Sequence, residues 1–144
     1  MRINFDEIEA NIQNKPGYYE IHTKQGIALK VGIGVNIRKR LINHRASRQS
    51  ALRHAQGGGI VDPNDILNPN DVKSKSSILA KHLYFDETIA PNYNLKKQKC
   101  RRAFLIENCY IEFLETETKA IAREIEIDRE NTGLFRYVGI VEIR

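Results

Sequence analysis

Residues 16–44, PGYYEIHTKQGIALKVGIGVNIRKRLINH, decide the fold of this chain. Pro16-Gly17 ends whatever precedes it. Tyr18 to Thr23 then reads as a strand, aromatic and β-branched in character with polar residues at every second position. Lys24-Gln25-Gly26 supplies the turn, and Ile27 to Gly32 returns as the antiparallel partner. Gly32 and Gly34 punctuate its end, and Asn36 is a good N-cap for a helix carrying Ile37 and Leu41 on one side. On that helix Arg40 and His44 lie four apart and project from one face. Two strands and a helix so arranged gather Tyr19, Lys30, Arg40 and His44 where one phosphate fits.

Working outward, 144 residues and 16.6 kDa allow a single core and one domain. A hydrophobic share of 41% with 28% charged residues excludes the disordered and membrane classes, and no apolar run approaches the length of a bilayer span. Asp6, Glu7 and Glu9 near the N-terminus break any cationic and apolar export pattern, so a cytoplasmic location is expected. Cys100 and Cys109 have no metal-ligand spacing and read as reduced thiols.

The net charge of +5 is segregated. From Lys15 to Val61 nine Lys or Arg residues face one acid, Glu20, and Lys96, Lys97, Lys99, Arg101 and Arg102 form a second basic run. Glu107 to Glu130 reverses the sign, with eight acids against three bases. Positive charge concentrated in this way is the footprint of a polyanion binder.

Before the hairpin, Asn4 to Ile12 reads as a short helix with an Asn4/Glu7 capping box and an apolar stripe of Phe5, Ile8 and Ile12. The helix from Asn36 is expected to run to about Gln56, where Gly57-Gly58-Gly59 stops it, presenting Arg45, Arg48, Arg53 and His54 to phosphates. Gly57 to Ser76 is loop-like. Ser77 to Phe85 reads as a helix with Ile78, Leu79 and Leu83 inward and Lys81 and His82 toward the edge. Ala103 to Glu115 reads as one long strand or as two joined near Glu107-Asn108. Thr116 to Arg129 follows as an amphipathic helix whose buried stripe is Ile121, Ala122 and Ile125. Arg136 to Ile143 is a last strand, closing the sheet or meeting a second chain.

Gly17-Tyr18-Tyr19, Lys30-Val31-Gly32, Asn36, Arg40, Leu41 and His44 together resemble the signature of the GIY-YIG nucleases. In that family a Gly-x-Tyr strand precedes a Tyr-x-Gly strand and a helix bearing Arg and His. One position departs from it, since Lys30 stands where the second motif has tyrosine. The resemblance implies an α/β domain with a small central, mainly antiparallel sheet flanked by helices, spanning residues 1–144 with a divergent basic insertion at about 45–102. It also implies metal-dependent DNA cleavage by a compact restriction or mobile-element type of enzyme, with a homodimer expected because each chain carries one site.

Hydrolysis of a phosphodiester needs a positioned water with a base, positive charge on the non-bridging oxygens and relief for the leaving oxygen. A hard divalent cation, Mg²⁺ or Mn²⁺, held by one or two carboxylates contributes to the last two. The family places its metal-binding Glu on a late helix, and Glu124 matches that pattern best. Glu117 and Glu126 are alternatives on the same helix, and Glu107 and Glu112 on the preceding strand. Asn131 corresponds to the family's late active-site Asn. In the same scheme Tyr19 is a base or orients water, Lys30 stabilises its phenolate or holds a phosphate oxygen, Arg40 binds the developing charge, and His44 donates to phosphate or carries a proton. Arg45, Arg48, Arg53, Lys96, Lys97, Lys99, Arg101 and Arg102 supply the DNA contacts, while Gly17 and Gly32 serve close backbone approach. The rival reading, motivated by Lys30, is a nucleic-acid-binding module that keeps the fold without catalysis.

Overall fold

The computed structural model describes residues 1–48, 53–54, 72–73 and 77–137. Gly17–Thr23 (β2) and Ala28–Gly34 (β3) form the expected hairpin, and Gly26 closes its turn at φ +98°, a conformation that glycine adopts without penalty. Two further strands complete an antiparallel sheet: Arg2–Asn4 (β1) pairs with Cys109–Glu115 (β6), which in turn pairs with β2, giving the order β1-β6-β2-β3. Helices Ile8–Asn11 (α1), Ile37–Ala46 (α2), Ile78–Phe85 (α3), Gln98–Asn108 (α4) and Lys119–Glu130 (α5) complete an α+β architecture. A two-stranded ribbon pairs Arg53–His54 (β4) with Val72–Lys73 (β5). Among the described residues no helix is long and apolar enough to cross a membrane.

The pairing of β2 with β3 contains one irregularity that matters. Ile21 faces Lys30 but His22 faces Ala28, so Leu29 is an extra residue in β3. Tyr19 faces Gly32, and with strand alternation Tyr19, Ile21, Lys30 and Gly32 share one face of the sheet. That face carries the main core, in which Tyr19, Ile21 and Leu29 pack with Ile37 and Leu41 of α2, Leu79 and Leu83 of α3, and Phe104 and Leu105 of α4. On the other face Tyr18 and Val31 pack with Ala122 of α5 and Phe135. Each such large apolar side chain contributes about 1.5–3 kcal/mol when buried, which is why the helices are held by packing rather than by propensity.

Several local expectations are corrected. Asn4 to Ile12 is not one helix; a strand and the 3₁₀ turn Phe5–Glu7 precede α1, because residues 2–4 complete the hydrogen bonding of β6. The Asn4 N–H still donates to Glu7 Oε1 at 2.8 Å. α2 ends at Ala46 rather than near Gln56. Ser47 turns left-handed (φ 54°, ψ 37°), and the buried Arg101 guanidinium donates from Nη2 to its carbonyl at 2.6 Å, fixing the chain's exit. Ala103 to Asn108 belongs to α4, so only the second half of the segment expected as strand is extended. Lys81 is buried rather than at the edge. On α5 Ile121 is 43% exposed, and Ala122 occupies the contact with the sheet, since the close approach over Tyr18 and Val31 favours a small side chain.

The loop expected from Gly57 to Ser76 lies outside the described residues apart from β5, as does the last strand beyond Tyr137. The backbone N–H groups of Arg136 and Tyr137 donate to Ala28 O (2.9 Å) and Leu29 O (2.7 Å), which attaches this stretch to the β3 edge.

Gly17 is where β2, β6 and α2 meet. A Cβ there would lie 2.6 Å from Leu114 O and 2.7 Å from Ile37 Cδ1. Gly17→Ala is therefore expected to cost about 1–3 kcal/mol of stability in chemical denaturation, with a change near zero showing that the backbone can part there freely.

Candidate functional site

A cleft of about 440 Å³ opens along β3, the edge strand, between α2 and α5. Tyr19, Lys30 and Gly32 form its floor, Lys39, Arg40 and Asn43 of α2 one wall, and Lys119, Arg123, Glu126 and Glu130 of α5 the other. Five Lys or Arg side chains against two carboxylates give it an excess of positive charge, which attracts anions.

Local structure fixes each group. Asn36 caps α2, its side chain accepting from Lys39 N at 3.1 Å. The buried stripe of that helix is Ile37, Leu41 and His44, which turns Arg40 to the cleft. Arg40 Nε is buried and finds no acceptor among the described residues, as expected of a guanidinium shaped for a ligand anion. Gly32 leaves room for the phenol, because a Cβ there would lie 2.3 Å from Tyr19 Oη.

His44 is fully buried and, unlike Tyr19, is not among the residues that line the cleft. Its Nε2 lies 2.6 Å from Tyr19 Oη and its Nδ1 2.6 Å from Ser77 Oγ. Burial first, then the charges of Arg40 and Lys30, hold its pKa well below the ordinary histidine value, so the ring is neutral at pH 7. Tyr19 is 0% exposed and Lys30 4% exposed, and both are among the residues that line the cleft. A phenol backed by a neutral imidazole and lining a cleft together with Lys30 and Arg40 is chemically suited to move a proton.

Glu124 does not join them. It is exposed, and on α5 it points about 200° away from Glu126. Anchoring α5 through Ala122 rather than Ile121 rotates the helix so that Lys119, Arg123, Glu126 and Glu130 line the cleft. Glu126 and Glu130, one turn apart, carry the carboxylate oxygens that a hard divalent cation prefers, and they replace Glu124 as the metal candidates. Glu126 Oε1 also lies 3.8 Å from Arg123 Nη1, a long contact that a bound cation would have to displace. Asn131 is exposed at the end of α5 and does not line the cleft. Glu117 precedes α5 and lies outside the cleft as well.

The basic residues divide. Arg45 is committed to Glu9, with Nη1 donating to Oε1 at 2.8 Å and Nη2 closing the pair. Arg101 is buried, donating to Leu95 O and Ser47 O, and is structural. Lys96 lies over the Tyr84 ring at 4.9 Å. Arg48, Lys97, Lys99 and Arg102 are exposed, and the Arg53 side chain lies outside the described residues. Ser77, Glu130, Lys119 and Arg123 were missed as site residues, and Glu126 was named only as an alternative to Glu124. Only the α5 set had a readable signal, its spacing of four, three and four along one helical face.

A second polar cluster lies on the α5 face of the sheet. Glu20, His22 and Glu112 hold potential ligand atoms within 4.8 Å of one another. Their carboxylates already have cations: Arg129 Nε donates to Glu20 at 2.7 Å and Arg2 Nη2 to Glu112 at 3.0 Å, while His22 Nε2 lies 2.9 Å from Glu20. The cluster reads as an ion-pair network joining α5 to the sheet rather than as a metal centre.

In comparisons with known proteins the chain matches no family model, no curated protein and no solved structure.

The buried histidines make stability depend on pH. His82 is pushed down to about 4, chiefly by desolvation and then by Lys30 and Lys81, and His44 is lowered by the causes given above. The unfolded chain takes up these protons near pH 6.5 and the folded chain only lower, so stability is full above about 6.5 and falls as pH drops below it. Between about pH 7.5 and about 5.5 the free energy of unfolding is expected to decline while the ¹⁵N resonances of the His44 ring stay those of neutral imidazole. Protonation of His44 near 6.5 would contradict this.

Proposed function

We propose that the chain is a metal-dependent DNA endonuclease that hydrolyses phosphodiester bonds by attack of an activated water, of the GIY-YIG type that its motif resembles. One observation carries the reading: Tyr19, backed by buried His44, lines the same anion-attracting cleft as Lys30, Arg40 and the Glu126/Glu130 pair. In this scheme Tyr19 orients the water and accepts its proton on Oη. Lys30 stabilises the phenolate or binds a non-bridging oxygen, and Arg40 hydrogen-bonds the charge developing on phosphorus's oxygens as the 3′ oxygen leaves. Glu126 and Glu130 would hold Mg²⁺ or Mn²⁺, which supplies Lewis-acid polarisation of the phosphate and charge relief for the leaving group.

Lys39, Lys119 and Arg123 are suited to the phosphates next to the one being cut, with Arg48, Lys97, Lys99 and Arg102 reaching farther along the duplex. Cleavage of both strands would take two copies of the chain, which fits a restriction-type enzyme. The second reading, a binding module without catalysis, is favoured by Lys30 in the motif tyrosine's place.

The test is cleavage of supercoiled and linear DNA with Mg²⁺ or with EDTA. Metal-dependent fragments are expected, with Arg40→Ala slowed about 10²- to 10³-fold, Glu126→Ala comparably impaired and Glu124→Ala close to wild type. Loss of activity in Glu124→Ala but not in Glu126→Ala would overturn the metal assignment. Absence of any cleavage, alongside binding that weakens steeply with salt, would leave the binding module.

A further inference from the structure

Ser77 stands outside the motif that the sequence resembles, yet it touches the same hydrogen-bond chain. It is 3% exposed at the N-cap of α3, and its Oγ lies 2.6 Å from His44 Nδ1 while accepting Ala80 N–H at 3.1 Å. A neutral imidazole carries one N–H and one bare nitrogen, and the partner of one nitrogen decides the state of the other. The Ala80 amide occupies one lone pair of Oγ at the positive end of α3. That interaction polarises the hydroxyl into a better donor and a poorer acceptor. Donation from Ser77 Oγ–H to Nδ1 leaves the ring proton on Nε2, which then donates to Tyr19 Oη at 2.6 Å. An N–H aimed at the phenol oxygen favours the phenolate form, whereas a bare Nε2 would draw the phenol's own proton instead.

We propose that Ser77 is a positioning residue: through the chain Ser77–His44–Tyr19 it selects the Nε2–H tautomer of His44 and so tunes Tyr19 as a proton acceptor. The consequence for catalysis rests on the nuclease reading, but the tautomer does not.

The experiment has two arms. Long-range ¹H–¹⁵N correlation on the ¹⁵N-histidine-labelled chain, with His44 assigned by its loss in His44→Asn, is expected to give a bare Nδ1 and a protonated Nε2 in the wild type and in Ser77→Thr. Ser77→Asp keeps a capping oxygen but offers only an acceptor, and it is expected to move the proton to Nδ1. In the cleavage assay Ser77→Thr is expected to stay within about threefold of wild type and Ser77→Asp to lose about 10- to 100-fold in kcat with little change in KM. A wild-type ring protonated at Nδ1 would overturn the proposal even if no variant folded. So would a Ser77→Ala chain that keeps a single Nε2–H tautomer and wild-type cleavage. If wild type cuts no DNA, the nuclease reading fails while the tautomer arm still decides the role of Ser77.

Discussion

The close approach of Tyr19 to Gly32 is the constraint on which the rest of the cleft depends. These residues face each other across β2 and β3, and the phenol occupies the space that any side chain at position 32 would need. Lying there, its oxygen reaches His44 on the buried stripe of α2, and that stripe in turn directs Arg40 outward. The phenol is thus held by its packing over Gly32 and by the hydrogen bond to His44, so little conformational freedom remains to be lost when a ligand arrives. A burial that would ordinarily be costly for a hydroxyl and an imidazole is offset because each polar atom of the pair has its partner.

The hairpin and the start of α2 were legible because their signals are local. Turn chemistry at Lys24-Gln25-Gly26, alternation in Tyr18 to Thr23 and a capping Asn36 act within a few residues of one another. What escaped depends on partners distant in sequence. The strand at Arg2–Asn4 exists only because β6 lies beside it, and α2 stops at Ala46 because Arg101, 54 positions after Ser47, holds its exit. Ala103 to Asn108 carries an apolar composition that suits either a buried helix or a strand, and periodicity alone does not separate the two over so short a run.

Charge shows the same limit. Sequence gives where the basic residues fall along the chain but not which ones the fold uses. Arg45 and Arg101, inside the two basic segments, turn inward to a carboxylate or to carbonyl groups, whereas Lys119 and Arg123, inside the acidic one, face the cleft. An arginine has five donors in a rigid fork, which makes it as fit to cap a helix as to bind a phosphate. A run of them therefore states an inventory, and burial decides its use.

The helix α5 carries the sharpest case. Ile121 and Ile125, four apart, set an apolar stripe that would bring Glu124 to the rim, and by composition that stripe is as good as any other. Two contacts rotate it, so that Ile125 stays packed while Ile121 turns out. Ala122 allows the helix to approach Tyr18 and Val31 closely, and Arg129, seven positions on along the same face, reaches the carboxylate of Glu20, itself only 5% exposed. A buried carboxylate left without its cation costs far more than an isoleucine left half in water. The ion pair and the small residue thus fix the rotation of the helix, and with it Glu126 and Glu130, rather than Glu124, face the cations of the cleft.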